Sequence, residues 1–167
     1  KSQGSFLFAE VEGYVHRIHK NLREFFPHQL ISVAGAFRRQ LEIVDLPEWI
    51  CSIPAAELES YFTRQAFAVK ESIAGTIRVS GEENIALQFR CFPRDLFYST
   101  LFGTSASDAF LEAWKKDFEI PEHAASEESI FELAAISVIP AALREDPSIL
   151  NRAREPLPPL IQSFDIK

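Results

Sequence analysis

The amino-acid sequence predicts an α+β fold, because its helical and strand-like segments are grouped in blocks and do not alternate along the chain. An amphipathic helical pattern comes first. A block of short apolar strand candidates with one helix follows, and the chain beyond Pro93 is helical. The chain has 167 residues, of which 47% are hydrophobic and 25% charged. These values are typical of one globular domain, with or without a small appendage.

The first predicted helix is about five turns long and ends before Pro27. Its apolar side chains recur at steps of three and four residues, which indicates one buried face. They are Phe8, Val11, Val15, Ile18, Leu22 and Phe25.

Five strands are predicted from short β-branched and apolar runs, at residues 30–34, 43–51, 67–73, 76–79 and 85–92. The last two strands are expected to pair as a β-hairpin. Pro47 has no N–H to donate to a ladder, so its strand is expected to be at an edge, bulged or broken. Further helices are predicted at residues 54–62, 94–102 and 108–118, and Ser126 is expected to cap another.

Charge and cysteine content limit the functional classes. The net charge of −7 weighs against strong non-specific DNA binding, which needs a basic face to neutralise phosphates. No apolar run is long enough to span a membrane and no signal segment is apparent, so we expect no membrane partner and a cytoplasmic location. Cys51 and Cys91 have no motif spacing and are interpreted as buried thiols in a reducing compartment. Because Lys1 opens a chain without Met, we expect a piece of a longer protein.

A glycine-containing turn at residues 35–39 joins the first two predicted strands and indicates phosphate binding. Gly35 permits a tight turn and a close approach of a phosphate to the backbone. Arg39 can hold phosphate oxygens with two parallel hydrogen bonds. An arginine pair after a strand is also common on protein surfaces, so the turn alone leaves both interpretations open.

Phosphoryl transfer also needs Mg²⁺ held by carboxylates, and that part of the pattern is incomplete. Asp45 and Glu48 are the residual candidates, but their spacing points them to opposite faces of a regular strand. A bulge at Pro47 would be needed to bring them together. Gln88 is the inward polar position of a later strand, and its amide cannot supply the charge that a divalent ion requires. The sequence therefore predicts neither catalytic residues nor a two-metal site.

Several segments resemble motifs of the family X DNA polymerases, the polymerase beta group. Residues 35–42 (GAFRRQLE) are similar to the Gly-Ser-x-Arg-Arg-Gly-x-Glu turn of that family, and residues 87–93 (LQFRCFP) to its Val-Asp-Leu-Arg-Val-Val-Pro strand. Residues 101–105 (LFGTS) resemble its Tyr-Phe-Thr-Gly-Ser segment. Residues 127–134 (EESIFELA) and 138–145 (VIPAALRE) resemble the bacterial thumb patterns Glu-Glu-x-x-Phe, Ile-Pro-Pro and Leu-Arg-Glu.

The resemblance implies nucleotide-binding roles for four residues. Gly35 corresponds to the glycine of the turn, and Arg39 to the arginine that contacts the triphosphate. Thr104 corresponds to the glycine on the nucleotide side, and Ser105 follows it.

Other positions depart from the family pattern. Ala36 and Gln40 replace the serine and the glycine of the turn. Depending on where a gap is placed, the two metal-binding aspartates of the family correspond to Leu46 and Glu48, or to Asp45 and Pro47. The third metal-binding aspartate corresponds to Gln88.

The resemblance implies a nucleotidyltransferase-like mixed-sheet palm with flanking helices at residues 1–121, and a small helical thumb with a linker at residues 122–167. With the metal positions replaced, it implies a catalytically impaired or inactive module in a DNA-repair context, without a cofactor, or with Mg²⁺ if the module is active. The implied partners are DNA or a nucleotide, and flanking helix-hairpin-helix and PHP domains. Residues 157–161 and 164–167 resemble the linker before a PHP domain.

Two alternatives stay open. One is an active DNA-directed DNA polymerase with a rearranged metal site. The other is a protein-interaction scaffold without a nucleic-acid role, which the pI of 5.1 and the 15 Phe favour.

Overall fold

The computed structural model describes residues 6–81 and 84–153. It confirms the predicted α+β fold: a mixed sheet of five strands carries helices on both faces, and the later part of the described chain is helical. None of the helices in this part of the chain is long and apolar enough to cross a membrane. The resemblance of residues 157–167 to a linker falls outside the described residues.

Within the described residues, seven strands form two sheets: β1 (Phe6–Leu7), β2 (Ile31–Ala34), β3 (Ile43–Val44), β4 (Glu48–Cys51), β5 (Ala68–Ile73), β6 (Thr76–Ser80) and β7 (Ala86–Cys91). β1 and β3 make a small antiparallel pair, and the main sheet has the order β2-β4-β7-β6-β5. β4 and β7 are parallel, whereas the other neighbours in the main sheet are antiparallel. The predicted hairpin of residues 76–79 and 85–92 is confirmed by the pairing of β6 with β7.

The described helices are α1 (Phe8–Phe25), α2 (Gly35–Arg38), α3 (Ala55–Arg64), α4 (Phe97–Thr104), α5 (Asp108–Asp117), α6 (Glu127–Leu133) and α7 (Ile149–Ala153). Short 3₁₀ turns precede α4 at Arg94–Leu96 and α7 at Ala141–Leu143. As predicted, Ser126 caps α6: its side chain accepts a hydrogen bond from the N–H of Ser129.

The predicted strand at residues 43–51 is broken, which is one of the three outcomes expected for a strand that contains Pro47. Its first part, β3, pairs with β1, while its second part, β4, lies inside the main sheet between β2 and β7. Pro47 sits just before β4, so its missing N–H removes no bond from the ladder. Its carbonyl accepts a hydrogen bond from the N–H of Gln88 at 3.0 Å.

The largest hydrophobic core lies between the main sheet and helices α1 and α3. Five residues of α1 are buried there at the predicted helical spacing: Val11, Tyr14, Val15, Ile18 and Leu22. Phe25 was expected on the same face, but it is 48% exposed and packs edge-on against Phe26. On the opposite face of the sheet, Ala34 and Ile50 pack against α4.

A second core is built by the helices that follow the sheet. Trp114 of α5 is at its centre, in contact with the rings of Phe102, Phe110 and Phe131. This cluster contains residues on both sides of the division predicted between residues 121 and 122. The division itself stays a prediction.

Candidate functional site

The glycine-containing turn follows β2 and opens the single helical turn α2. Gly35 has a φ of +61°, in the left-handed region that favours glycine. A Cβ placed on Gly35 would lie 2.7 Å from Oε1 of Glu48, at the start of β4. The close approach to the backbone that we predicted for a phosphate is therefore made by a carboxylate of the chain itself.

Glu48 belongs to a row of polar side chains that crosses β4, β7 and β6. It lies beside Gln88 in the parallel register, and Nε2 of Gln88 donates to Oε2 of Glu48 at 3.0 Å. Oε1 of Gln88 accepts from Nη2 of Arg78 at 2.8 Å, and Nε of Arg90 lies 3.9 Å from Oε2 of Glu48. Gln88 is buried, and both the oxygen and the nitrogen of its amide have hydrogen-bond partners within the protein, as a buried polar group requires.

The side chains at this position do not fit Mg²⁺. The ion needs several oxygen ligands around one point, preferably charged ones. Gln88 is neutral, and its oxygen already accepts from a guanidinium. Arg90 also places positive charge beside Glu48, which disfavours a second cation there. Asp45 is exposed between β3 and β4, and within residues 6–81 and 84–153 no three His, Cys, Asp or Glu residues are grouped to hold a metal.

Arg38, Glu127 and Arg144 form a network that we call the Glu127 ion network. Arg38 donates through Nη1 and Nη2 to the two carboxylate oxygens of Glu127, at 2.9 and 2.7 Å. Arg144 donates to the same two oxygens at 3.0 and 3.4 Å. It also donates through Nε to the carbonyl of Ile139 at 2.7 Å, and only 1% of Arg144 is exposed. One carboxylate thus binds the turn to α6 and to the segment before α7.

The electrostatics of the network keep Glu127 ionised. Burial acts to raise the pKa of Glu127, but the hydrogen bonds and charges of Arg38 and Arg144 outweigh it and hold the pKa below its usual value. The guanidinium of Arg144 also lies 5.5 Å from the ring centroid of Phe102 and 5.2 Å from that of Phe131. The network is therefore packed against the second core through Arg144.

Arg39, the predicted triphosphate contact, also has a partner within the chain. Its Nη1 donates to Oε2 of Glu145 at 2.5 Å, while its Nε is buried without a hydrogen-bond partner. Its side chain is 17% exposed. A nucleotide phosphate at Arg39 would compete with Glu145 for the guanidinium.

Thr104 and Ser105, the other predicted nucleotide contacts, end helix α4. The Thr104 hydroxyl donates to the carbonyls of Thr100 and Leu101 in its own helix, at 3.1 and 3.2 Å. Ser105 is fully buried, and its hydroxyl has no hydrogen-bond partner. Their role in nucleotide binding stays a prediction.

Sequence reasoning missed the ion pairs that join the turn to the later helices. The segments at residues 127–134 and 138–145 were singled out for their resemblance, and they contain Glu127, Arg144 and Glu145. However, Arg38 and Glu127 are 89 residues apart, and no local pattern pairs them. For Arg78 a signal existed, because the hairpin register places it directly opposite Gln88.

Comparisons with known proteins add no family to this picture. No family model matches the chain, and no curated protein matches it significantly. Function must therefore be inferred from the fold, the resemblance of the motifs and the geometry of the site.

Proposed function

We propose that the chain is a catalytically inactive palm and thumb module of the family X DNA polymerase type, acting in a DNA-repair context in the cytoplasm. It would position DNA or flanking domains without transferring nucleotides. One observation carries the proposal: both arginines of the turn are bound by glutamates of the thumb-like segment, Arg38 by Glu127 and Arg39 by Glu145. The turn thereby serves as a structural joint, and a phosphate at either arginine would compete with a glutamate that already binds it.

The chemistry of the β4–β7 position supports the loss of catalysis. Phosphoryl transfer of the polymerase type requires carboxylates that hold metal ions at the reacting phosphate. Here one carboxylate, Glu48, is hydrogen-bonded to Gln88 and flanked by Arg90. Arg78 further fixes the amide of Gln88. These contacts stabilise the sheet in the place where an enzyme would need open metal ligands.

A DNA contact would need a local group of cations, because the net charge of the chain is −7. Helix α1 offers one such group on its exposed side: Arg17, Lys20 and Arg23. Binding through these residues would be insensitive to sequence and would weaken steeply as salt is raised.

Primer extension tests the absence of catalysis. The protein is incubated with gapped DNA, Mg²⁺ and the four deoxynucleoside triphosphates, beside an active polymerase as positive control. We expect no extended primer. Extension that disappears in Asp45→Ala or Glu48→Ala would overturn the proposal and establish the alternative, an active polymerase with a rearranged metal site.

A binding titration tests the contact with DNA. Fluorescence anisotropy of labelled gapped DNA is measured at about 50 mM and about 200 mM salt, where binding through phosphate contacts differs strongly in affinity. We expect measurable binding at the lower salt, and its loss in a triple variant, Arg17→Ala with Lys20→Ala and Arg23→Ala. The matched control replaces two exposed lysines of α5, Lys115→Ala with Lys116→Ala, and should bind as the wild type does.

A protein-interaction scaffold is the second candidate, and exposed apolar side chains favour it. Leu133 is 75% exposed, Val138 48% and Leu143 45%, all in the segment from α6 to the second 3₁₀ turn. Such side chains are typical of an interaction surface when they are clustered. No DNA binding even at the lower salt, with a folded protein, would favour this candidate over the polymerase-like module.

A further inference from the structure

The two cysteines of the chain are direct neighbours on the central parallel strands. Cys51 ends β4 and Cys91 ends β7, and the register pairs them. Their Sγ atoms lie 3.8 Å apart. The sequence led us to expect buried thiols without motif spacing, and the fold brings the two together because four successive residues of β4 and β7 lie side by side.

The backbone geometry is suited to a disulfide. Adjacent strands are about 4.8 Å apart, and paired side chains project to the same face of the sheet. Disulfides span Cα separations of roughly 4.4–6.8 Å, with sulfurs about 2.05 Å apart. The sulfurs of Cys51 and Cys91 need only a small side-chain rotation to approach from 3.8 Å.

The two thiols differ in access and acidity. Cys51 is fully buried, whereas Cys91 is partly exposed at the end of its strand. The hydrogen bond from the Cys51 thiol lowers the pKa of Cys91, while the same contact and burial raise the pKa of Cys51. Cys91 is therefore the thiol that becomes a thiolate and meets reagents from solvent, and Cys51 remains protonated beside it.

We propose that Cys51 and Cys91 form a reactive dithiol, which oxidants of the hydroperoxide class convert into a disulfide between β4 and β7. The Cys91 thiolate attacks the terminal peroxide oxygen, the O–O bond breaks and a sulfenic acid forms, while the leaving alkoxide or hydroxide takes a proton from solvent and becomes an alcohol or water. The Cys51 sulfur then attacks the sulfenic sulfur, the S–O bond breaks, and one water leaves with the Cys51 proton. Two thiols are oxidised by two electrons, and one peroxide is reduced.

The disulfide would link β4 to β7 covalently at one end of their parallel pairing, and Glu48 and Gln88 are paired at the other end. Cross-linking positions 51 and 91 constrains the unfolded chain, because the segment between them can no longer extend freely. The oxidised protein should accordingly unfold at a higher urea concentration than the reduced protein. This inference does not depend on the resemblance to polymerases.

Mass spectrometry tests the proposal on the unmodified chain. Reduced protein is treated with a small excess of hydrogen peroxide under native conditions, then alkylated and digested. We expect the loss of both free thiols, an intact mass lower by two hydrogens, and one cross-linked peptide pair containing Cys51 and Cys91. Because the chain has only two cysteines, a thiol count is unambiguous. Monomer on a non-reducing gel excludes cross-links between chains.

Single variants test the order of the two steps. With Cys51→Ser, the sulfenic acid on Cys91 cannot be resolved and should react with dimedone. With Cys91→Ser, the buried Cys51 should be oxidised more slowly than Cys91 is in the other variant. Both variants are compared with the wild type by near-ultraviolet circular dichroism, and the wild-type peptide map stands independently if a variant fails to fold.

A second probe needs no substitution. Phenylarsine oxide binds pairs of close thiols, so one equivalent should block both cysteines of the reduced protein, and a small dithiol should release it. Three results would each overturn the proposal: oxidation that stops at sulfinic acid without a disulfide, disulfides that form only between molecules, or two thiols that stay free after one equivalent of the arsenical.

Discussion

At the scale of single residues, Gly35 has a structural reason that is independent of any phosphate. Its positive φ and the closeness of the Glu48 carboxylate both require the absence of a Cβ. The glycine at position 35 correctly predicted a tight turn of the backbone. It did not predict which group lies in the space that a Cβ would occupy. The sequence could not show that Glu48 occupies it, because a residue beyond a broken strand has no predictable direction.

Gly35→Ala should lower the free energy of unfolding by about 1–3 kcal/mol, because it combines an unfavourable φ with a clash against Glu48. Urea denaturation measures the effect. Gly13→Ala is the matched control, since nothing lies within 4 Å of the added Cβ in the middle of α1. That control should raise stability by about 0.5–1 kcal/mol through helix propensity.

The two causes at position 35 can be separated with a double variant. Adding Glu48→Ala to Gly35→Ala removes the clash but leaves the strained φ. We expect the cost of Gly35→Ala to be smaller in the Glu48→Ala background than in the wild type. Equal costs in both backgrounds would mean that Glu48 does not press on the turn.

At the scale of elements, local patterns predicted what local forces determine. The buried face of α1 and the cap of α6 follow from residue spacing and from a serine before acidic residues. A break at Pro47 was one of the three outcomes foreseen, since proline cannot donate to a ladder. The interior position of β4 was not, because strand order depends on pairings across distant parts of the chain. The Glu127 ion network has the same origin and was equally invisible.

Glu127→Gln should lower the free energy of unfolding by about 3–5 kcal/mol, because it leaves two arginine side chains of a buried network without their anion. Chemical denaturation provides the measurement. Glu128→Gln, at the next position of the same helix, is the matched control: Glu128 is exposed, and its replacement should cost no more than about 1 kcal/mol. Similar losses in both variants would contradict a special role of Glu127.

The same network predicts a dependence of stability on pH. The pKa of Glu127 is lower in the folded chain than its unfolded value of about 4.3, so the unfolded state binds more protons between the two values. The contribution of Glu127 is therefore complete above about pH 4.3 and is lost as the pH falls through the folded pKa. In urea titrations the gap between wild type and Glu127→Gln should narrow on acidification below that point. A constant gap would exclude this linkage.

At the scale of the whole molecule, the main sheet and the second core are connected by α4 and by the Glu127 ion network. Phe97 and Leu101 of α4 pack on the sheet, while Phe102 of the same helix belongs to the second core. Arg38 comes from the turn beside the sheet, and Glu127 belongs to α6. A helix of the predicted palm, α4, therefore packs against the predicted thumb through Phe102 and Phe131, and an ion pair also joins the two parts. We expect them to unfold as one unit.

The two tryptophans make this expectation measurable, because Trp49 is buried in the first core and Trp114 in the second. In the single-tryptophan variants Trp49→Phe and Trp114→Phe, fluorescence follows one core at a time. Both should report the same urea midpoint as the backbone signal of the same variant, as two-state unfolding requires. Adding Glu127→Ala to each variant removes the Glu127 ion network and leaves the Arg39–Glu145 ion pair. The urea midpoints of the two cores should then differ, and the second core, against which Arg144 packs, should unfold at the lower urea concentration. Separate midpoints already in the presence of Glu127 would show that the cores are independent and that the network does not couple them.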